Sequence, residues 1–372
     1  MNYDEMEIAF IVCVNNEDYY EECQYYINRL HVPDGYRIDI ISIWDATSIA
    51  EAYNEAMESS DAKYKIYLHQ DVFIVEPTAL IQILQMFKQH PKVGMIGTLG
   101  ATKIPENGEM YRSWNVGNVL ASNGAWVFSN ELDIEEHEVW VVDGMFIATQ
   151  YDLRWRDDIL HGWHFYDVSQ SFEFRKKGYK VLVPAQEQAW CFHDSGLLNI
   201  INYDVEHKNF WDYYENDVSL PPIRRFTYAK SEKKMHRLIM QLKDQLKVLL
   251  MAHQVEQARE ILGNRYKEAY ADTELVVLGN ILEIDALEDS DGLVAEQKFL
   301  NRHTSWMALL EDYNRLKFLL RRLEFDATQN SEEEAIAQIH RFGISKQAIE
   351  RMIVYAVYRK EKVRAMLFGN RG

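Results

Sequence analysis

The chain has 372 residues, of which 47% are hydrophobic and 26% charged, so it suits two folded domains and is too apolar for global disorder. Its net charge is −18, and residues 1–220 alone hold 36 Asp or Glu against 15 Lys or Arg. Such an acidic half repels phosphate backbones, which argues against nucleic acid as a partner. A nucleotide diphosphate would need a divalent cation between itself and this protein.

No apolar run in the sequence is long enough to span a bilayer, and the acidic first residues lack the basic start of a signal peptide. Three cysteines, Cys13, Cys23 and Cys191, are too few for a disulfide framework and lack a metal-binding spacing. We therefore expect a soluble, cytoplasmic protein with no transmembrane segment.

Predicted strands and helices alternate through the first half, which is typical of an α/β fold with a mostly parallel sheet flanked by helices. The first strand is the apolar run from Ile8 to Val14, and a helix reaching Leu30 follows it. Thr47 or Ser48 can cap the next helix, and Glu51 is placed to complete a capping box if Ser48 is the cap. Further strands are predicted at 37–44, 64–68, 93–99, 140–142, 146–148 and 180–183, and further helices at about 48–59, 78–89 and 166–177.

After Pro221-Pro222 the pattern changes to a 3.6-residue periodicity that continues to residue 367. One helical face there carries Leu238, Leu242, Leu246 and Leu249. We therefore predict an α/β domain over residues 1–220 and an all-helical domain over 221–372. The stretch 257–262 resembles tetratricopeptide-type helices, although no clean 34-residue period is present. The helical half is expected to bind a protein partner or to self-associate, and the sequence leaves the two open.

The sharpest local signal is the stretch from Tyr64 to Val72, in which an apolar strand ends at a histidine and a carboxylate. Alternation puts His69 and Asp71 on the same side of an extended chain, at the end of a strand where open α/β sheets bind ligands. From the spacing alone, a buried structural histidine followed by a loop or helix-capping aspartate is an equally good interpretation.

Six short motifs follow one another in the first half of the chain: Phe10-Ile11-Val12-Cys13-Val14-Asn15-Asn16, Ala52-Tyr53-Asn54-Glu55-Ala56-Met57, Tyr67-Leu68-His69-Gln70-Asp71-Val72, Val142-Asp143-Gly144, Gly162-Trp163-His164-Phe165-Tyr166-Asp167 and Phe192-His193-Asp194-Ser195-Gly196. In this order they resemble family-two-like glycosyltransferases of the GT-A fold, particularly a bacterial subgroup with a His-Gln-Asp signature. The resemblance covers roughly residues 6–215. It implies the nucleotide-diphospho-sugar transferase fold and an inverting, metal-dependent transfer of sugar to an acceptor hydroxyl.

In that family the strand-end motif is usually Asp-x-Asp, which holds a divalent ion bridging the donor's diphosphate. His69 replaces the first Asp here, so the resemblance implies Asp71 as the direct ligand. His69 then contacts the ribose, a phosphate, the metal or a metal-bound water. Oxygen ligands suit Mg²⁺ or Mn²⁺, and an imidazole favours Mn²⁺. The resemblance also gives His193 a place in the metal or diphosphate site, although a loop histidine bonded to its own backbone is the alternative.

The resemblance implies that Asp167 is the general base, which takes the proton from the acceptor hydroxyl as that hydroxyl attacks the anomeric carbon. Such a base typically contributes ~10²–10⁴-fold to the rate. Because Asp is well suited to begin a helix, a purely structural N-cap is the competing interpretation.

Donor recognition is expected at Val14, Asn15, Asn16, Ala46, Ser48, Asn54, His69, Asp143 and Gly144. The sequence leaves structural roles open for Ser48 as a cap, for Asn54 as a surface amide and for the Asp143-Gly144 pair as a tight turn. Trp114 and Trp163, with Trp126, are candidates to stack on sugar faces of the acceptor, although core packing is commoner for tryptophan. The acceptor, whether glycan, lipid or protein, is left open.

No Walker loop, G-x-G-x-x-G, G-x-S-x-G or paired Cys-x-x-Cys motif occurs, so kinase, dehydrogenase and hydrolase functions lack their usual anchors. A nucleotide-sugar-binding protein without turnover, with the helical half as an interaction module, is the alternative from another class. A sugar-phosphate nucleotidyltransferase would need a Gly-rich basic loop after the first strand. The segment 15–18 is acidic instead, which disfavours that function.

Overall fold

A computed structural model of the chain describes residues 3–104, 110, 113–122, 127–194, 202–215 and 230–265, with isolated positions 272, 275, 278, 279, 315, 318, 319, 322 and 337. The helices are α1 (Glu17–Ile27), α2 (Ile49–Ser59), α3 (Ala79–Gln89), α4 (Tyr166–Lys176), α5 (Tyr203–Tyr214), α6 (Lys230–Met251) and α7 (Val255–Asn264). The strands are β1 (Asp4–Val14), β2 (Arg37–Trp44), β3 (Ala62–His69), β4 (Val72–Ile74), β5 (Val93–Gly97), β6 (Leu99–Ala101), β7 (Val116–Ser122), β8 (Val127–Glu131), β9 (His137–Glu138), β10 (Val141–Val142), β11 (Phe146–Thr149), β12 (Lys180–Val183) and β13 (Cys191–His193).

The chain divides into two compact units. The first contains Met1–Ala121, Ser129–His193 and Asn199–Ala229, and the second contains Ser122–Phe128, Asp194–Leu198 and Lys230–Gly372. The predicted boundary near residue 222 lies within 216–229, outside the described residues, and stays a prediction.

The main sheet of the first unit has seven strands in the order β2-β1-β3-β11-β5-β12-β9. Strand β1 is parallel to both β2 and β3, and β5 is parallel to β12. Strand β11 is antiparallel to β3 and β5, and β9 is antiparallel to β12, so the sheet is more mixed than the sequence pattern predicts. The reason is local: β11 starts beside the carboxyl end of β3, where the Met145 carbonyl accepts a hydrogen bond from the His69 N–H (3.1 Å), and runs back along it.

Strand β1 lies in the middle of the core. Ile8, Phe10, Ile11 and Val12 on it are fully buried, as expected of a strand covered on both faces. Burying one such side chain contributes about 1.5–3 kcal/mol to folding. Because β2 and β3 pair with it along most of their length, the carboxyl ends of these three strands form a firmly held edge.

A second sheet has the strand order β10-β6-β7-β13-β4, with β8 paired to β7. The single strand predicted at 93–99 is therefore wrong: the chain passes from one sheet to the other at Thr98, and β5 and β6 belong to different sheets. Strand β4 pairs antiparallel with β13, which places Val72 opposite His193. This pairing carries the polar end of β13 to the end of β3.

In the second unit α6 and α7 lie within the half of the chain that is predicted to be helical, and an all-helical domain over 221–372 stays a prediction. Among the side chains of α6 that the structure describes, Ile239, Leu242, Leu246 and Leu250 are buried. This face is centred slightly away from Leu238 and Leu249, which are only partly buried. Most of the helices predicted beyond residue 265 lie outside the described residues, and the tetratricopeptide resemblance stays a prediction. No described helix is both long enough and apolar enough to cross a membrane.

Candidate active site

One turn and one strand pairing bring three polar side chains together at the edge formed by the strand ends. His69 is the last residue of β3, and Gln70 and Asp71 form the turn into β4. Because β4 pairs with β13, His193 lies at the same place. His193 ends a strand rather than lying in a loop, so the alternative of a loop histidine is wrong.

The His69, Asp71 and His193 side chains form a group that could hold a metal ion, with one ligand atom from each lying within 4.8 Å of the others. Asp71 Oδ1 is 4.0 Å from His69 Nδ1 and 3.6 Å from His193 Nε2. The three side chains are 33%, 27% and 20% exposed, respectively, so a solvated ion and a phosphate can reach them. His69 is therefore not the buried histidine that the spacing left open.

Desolvation outweighs the opposing attraction of the Asp71 carboxylate and lowers the pKa of His69. A lowered pKa favours the neutral imidazole, which is the form that binds a metal ion. One nitrogen from each histidine and one carboxylate oxygen make a three-ligand set that would leave coordination positions for further ligands.

Gln70, the middle residue of the motif, ties the metal-binding turn to the first turn of the fold. Its Oε1 accepts hydrogen bonds from the Asn15 and Asn16 N–H groups, both at 3.0 Å, and its Nε2 donates to Asn15 Oδ1. The Asn16 side chain caps α1 by accepting from the Tyr19 N–H (3.1 Å). Sequence reasoning missed Gln70, although its place between two candidate ligands was a signal.

Two predicted donor-binding residues have structural roles. Asn54 is 3% exposed, and its amide donates to the Trp155 carbonyl (2.9 Å) and accepts from the Trp155 N–H (2.8 Å), so it is not a surface amide. Ser48 precedes α2 but makes no side-chain cap bond; its hydroxyl donates to the Leu160 carbonyl instead, at 3.5 Å. The expected capping box with Glu51 is therefore wrong.

The remaining predicted donor residues lie at the ends of the first strands. Val14 ends β1, is only 3% exposed and pairs with Trp44, the last residue of β2. Ala46 follows Asp45, whose φ of 56° turns the chain sharply after β2.

Asp167 is the second residue of α4, and Phe165 occupies the N-cap position with a left-handed φ of 62°. The N-cap interpretation of Asp167 is therefore wrong. Its carboxylate accepts from the Gly144 N–H (2.9 Å) and the Val168 N–H (2.8 Å). Desolvation, helped by the nearby Asp143 carboxylate, raises the pKa of Asp167 to about 7. A carboxyl group with a pKa near neutrality is suited to general base catalysis.

Tyr166, which sequence reasoning also missed, joins the two halves of the site. Its ring is 4% exposed and packs against Tyr53 and Trp155, with ring centroids 6.0 Å away in both cases. Its hydroxyl lies 2.5 Å from His69 Nε2. A Cβ on Gly144 would lie 2.1 Å from the same hydroxyl, so this close approach requires glycine. Asp143 stabilises the turn by accepting from the Met145 N–H (2.9 Å).

Replacing Gly144 by alanine should destabilise the protein by about 1–3 kcal/mol, the usual cost of overpacking a core. The new Cβ would also meet the ring of Tyr166 at 2.5 Å and 2.9 Å, and that buried ring packs against Tyr53 and Trp155. Urea unfolding measures the effect. The matched control is Gly263→Ala in α7, where a Cβ meets nothing within 4 Å and should be neutral or stabilising. Equal unfolding midpoints for wild type and Gly144→Ala would contradict the placement of Tyr166.

The two predicted acceptor tryptophans differ. Trp163 is 43% exposed in the loop before α4, and this loop is held by the bond from the Ile49 N–H to the Gly162 carbonyl (3.2 Å). Trp114 is partly buried and packs against the hydrophobic core, which is the commoner fate of a tryptophan. Trp126 lies outside the described residues.

Residues 9–214, more than half of the chain, match the model of a glycosyltransferase-like family. The chain belongs to this family and is a transferase. No curated protein matches it significantly.

Similar solved structures include a mannosyltransferase, PcManGT from Pyrobaculum calidifontis in complex with GDP-Man and Mn²⁺, with 11% identity, 86% of this chain and 88% of that chain covered, and a TM-score of 0.38. Residues 1–349 of S. aureus TarS match with 10% identity, 80% and 92% coverage, and a TM-score of 0.34. At such low identities and TM-scores these similarities carry no argument about the donor, ion or acceptor of this chain.

Proposed function

We propose that this protein is an inverting glycosyltransferase that uses a nucleotide-diphosphate sugar, a divalent cation at His69, Asp71 and His193, and Asp167 as the general base. The observation that carries the proposal is the convergence of three candidate metal ligands and a carboxyl group of raised pKa at one edge of the sheet. Neither group alone would indicate a transfer reaction. Together they offer one place for the leaving diphosphate and another for the attacking hydroxyl.

The charge of the first half supports the cation. Residues 1–220 hold more than twice as many acidic as basic residues, so a bare diphosphate would be repelled. A bound divalent ion supplies the positive charge that offsets the growing charge on the departing nucleoside diphosphate. Two imidazoles in the ligand set favour Mn²⁺ over Mg²⁺, which prefers an all-oxygen environment.

The reaction is a single displacement. Asp167 accepts the proton of the acceptor hydroxyl, whose oxygen forms a bond to the anomeric carbon while the bond from that carbon to the diphosphate oxygen breaks. The Gly144 and Val168 N–H groups hold the Asp167 carboxylate in a fixed orientation. Trp163 lies four residues earlier, and its exposure supports a role in stacking on the acceptor.

A thermal-shift screen of the full chain tests the proposal, using nucleoside mono- and diphosphates and nucleotide sugars with and without Mn²⁺. Ligand at 100 times its Kd should stabilise the protein by about 2.7 kcal/mol. We expect diphosphates to stabilise it only when Mn²⁺ is present, and monophosphates to do so much less. Stabilisation by diphosphates that does not depend on Mn²⁺ would contradict the proposed function, as would the absence of stabilisation by every nucleotide tested. An assay for release of nucleoside diphosphate from the nucleotide sugar that stabilises the protein then distinguishes a transferase from a binding protein without turnover.

A further inference from the structure

The two ring nitrogens of His69 face different partners. Nδ1 faces the candidate cation site formed by His69, Asp71 and His193, and lies 4.0 Å from Asp71 Oδ1. Nε2 lies 2.5 Å from the Tyr166 hydroxyl. Only one of the two nitrogens of a neutral imidazole carries a proton, and the hydrogen bond at one nitrogen decides what the other can do. The contact between Nε2 and the Tyr166 hydroxyl can therefore determine both the orientation of the His69 ring and which of its nitrogens carries the proton.

We propose that Tyr166 is a positioning residue for the cation site: its hydroxyl holds the His69 ring through Nε2 and so presents Nδ1 to the ion. The inference rests on the proposed function, since it assumes that His69 is a ligand. A ligating nitrogen must be unprotonated, so the ring proton then sits on Nε2 and is donated to the Tyr166 oxygen.

A hydroxyl suits this task because it can either accept or donate. With the Nδ1 lone pair in use, Tyr166 accepts from the Nε2–H group. With no ion on Nδ1, the proton can move to Nδ1, which faces the Asp71 carboxylate, and Tyr166 donates to Nε2 instead. The hydrogen bond at Nε2 is kept in both states, and a phenyl ring in place of Tyr166 could make it in neither.

The position of the hydroxyl is fixed by rigid parts of the fold. The Tyr166 ring is buried and packs against Tyr53 and Trp155, and the missing side chain of Gly144 makes room for its oxygen. The preceding residue, Phe165, has a left-handed backbone, which costs energy for a residue other than glycine and is held by its surroundings. Such a frame gives the His69 ring a single orientation before any ion binds.

Tyr166→Phe removes the hydroxyl and keeps the packing of the ring. Loss of a group that orients a metal ligand typically weakens metal binding by about 10–100-fold. We therefore expect the Kd for Mn²⁺ alone, measured on the full chain by calorimetry or by electron paramagnetic resonance of the free ion, to rise by about that factor. Turnover of the variant should recover at saturating Mn²⁺, because the chemistry itself is intact.

Tyr53→Phe is the matched control. Tyr53 is fully buried in the same aromatic cluster, its hydroxyl has no hydrogen-bond partner among the described residues, and its ring lies 6.0 Å from that of Tyr166. The same chemical change there should leave Mn²⁺ affinity unchanged.

The outcomes separate the inference from the proposed function. A wild-type chain that binds no Mn²⁺ overturns the proposed function and the inference with it. If the wild type binds Mn²⁺ and Tyr166→Phe binds it equally well, the cation site stands and the role of Tyr166 is overturned. Loss of affinity in both Tyr variants, with a lowered melting temperature in both, would also overturn it, because packing of the cluster would then explain the effect.

Discussion

An Asp167→Asn variant should turn over ~10²–10⁴-fold more slowly than the wild type, while its affinity for the nucleotide stays near normal. The amide has nearly the same size but cannot take the acceptor's proton. One of the two backbone N–H groups that Asp167 now binds loses its acceptor. Removal of a partly buried negative charge offsets that loss, so we expect a small change in melting temperature.

The pH dependence of the wild type gives the same role an independent signature. A base must be unprotonated to act, and the pKa of Asp167 is raised to about 7, so kcat/KM should rise with pH and level off above neutrality. Because this pKa lies above the ordinary value of 3.8, the buried charge lowers stability increasingly as pH rises from about 4 to about 7. In the Asp167→Asn variant, neither kcat/KM nor stability should show this dependence on pH.

The chain contains its own control for this experiment. Asp204 is the second residue of α5, just as Asp167 is the second residue of α4, and both helices follow a residue with a φ of 62°. Asp204→Asn should therefore reproduce any effect of the substitution on the start of a helix without touching turnover. Near wild-type turnover in Asp167→Asn would remove that residue from the mechanism and shift attention to Asp143.

Asp71→Ala should weaken Mn²⁺-dependent binding of a nucleoside diphosphate by about 100-fold or more, since loss of even an outer partner of a metal ligand costs about 10–100-fold. Asp71 is the sole carboxylate among the three grouped side chains, so its removal leaves two neutral imidazoles to hold a doubly charged ion. Calorimetry with and without Mn²⁺ measures the change. Unchanged affinity would exclude Asp71 as a ligand.

Asp61→Ala is the matched control for that variant. Asp61 is exposed and precedes β3 at the end opposite to His69 and Asp71, so its removal changes the net charge equally. If both variants lose affinity alike, the general charge of the unit rather than a bound ion governs nucleotide binding.

The elements that local sequence determines were predicted well. Strand β2 begins at Arg37 and ends at Trp44, as predicted, because its apolar run is bounded by turns on both sides. The grouping of the three side chains at the candidate cation site was also predictable, since they lie at strand ends and in motifs that resemble a known family. The switch at Thr98 was not, because a continuous run such as 93–101 gives no sign of which residues pair with which sheet.

Burial and long-range hydrogen bonds account for the side chains whose surroundings the sequence did not reveal. The sequence places Asn54 on the helix after the second strand, from which it points back towards the donor, but gives no sign of its hydrogen bond to Trp155, 101 residues away. Tyr166 was overlooked because its contact with His69 spans 97 residues. A pattern that is local in sequence shows which residues can do chemistry, and tertiary contacts decide which of them are free to do it.

The antiparallel insertion of β11 between β3 and β5 affects how the protein is made. Strands β3 and β5 are complete once residue 97 has left the ribosome, but the strand that separates them ends only at Thr149. Until then the nascent chain exposes two apolar strand edges that can pair with each other or with another chain. The candidate cation site forms later still, because His193 must leave the ribosome before β13 can pair with β4. The edge that carries His69, Asp71 and His193 is thus one of the last parts of this unit to assemble, and mistakes in strand pairing would arise before the proposed nucleotide site exists.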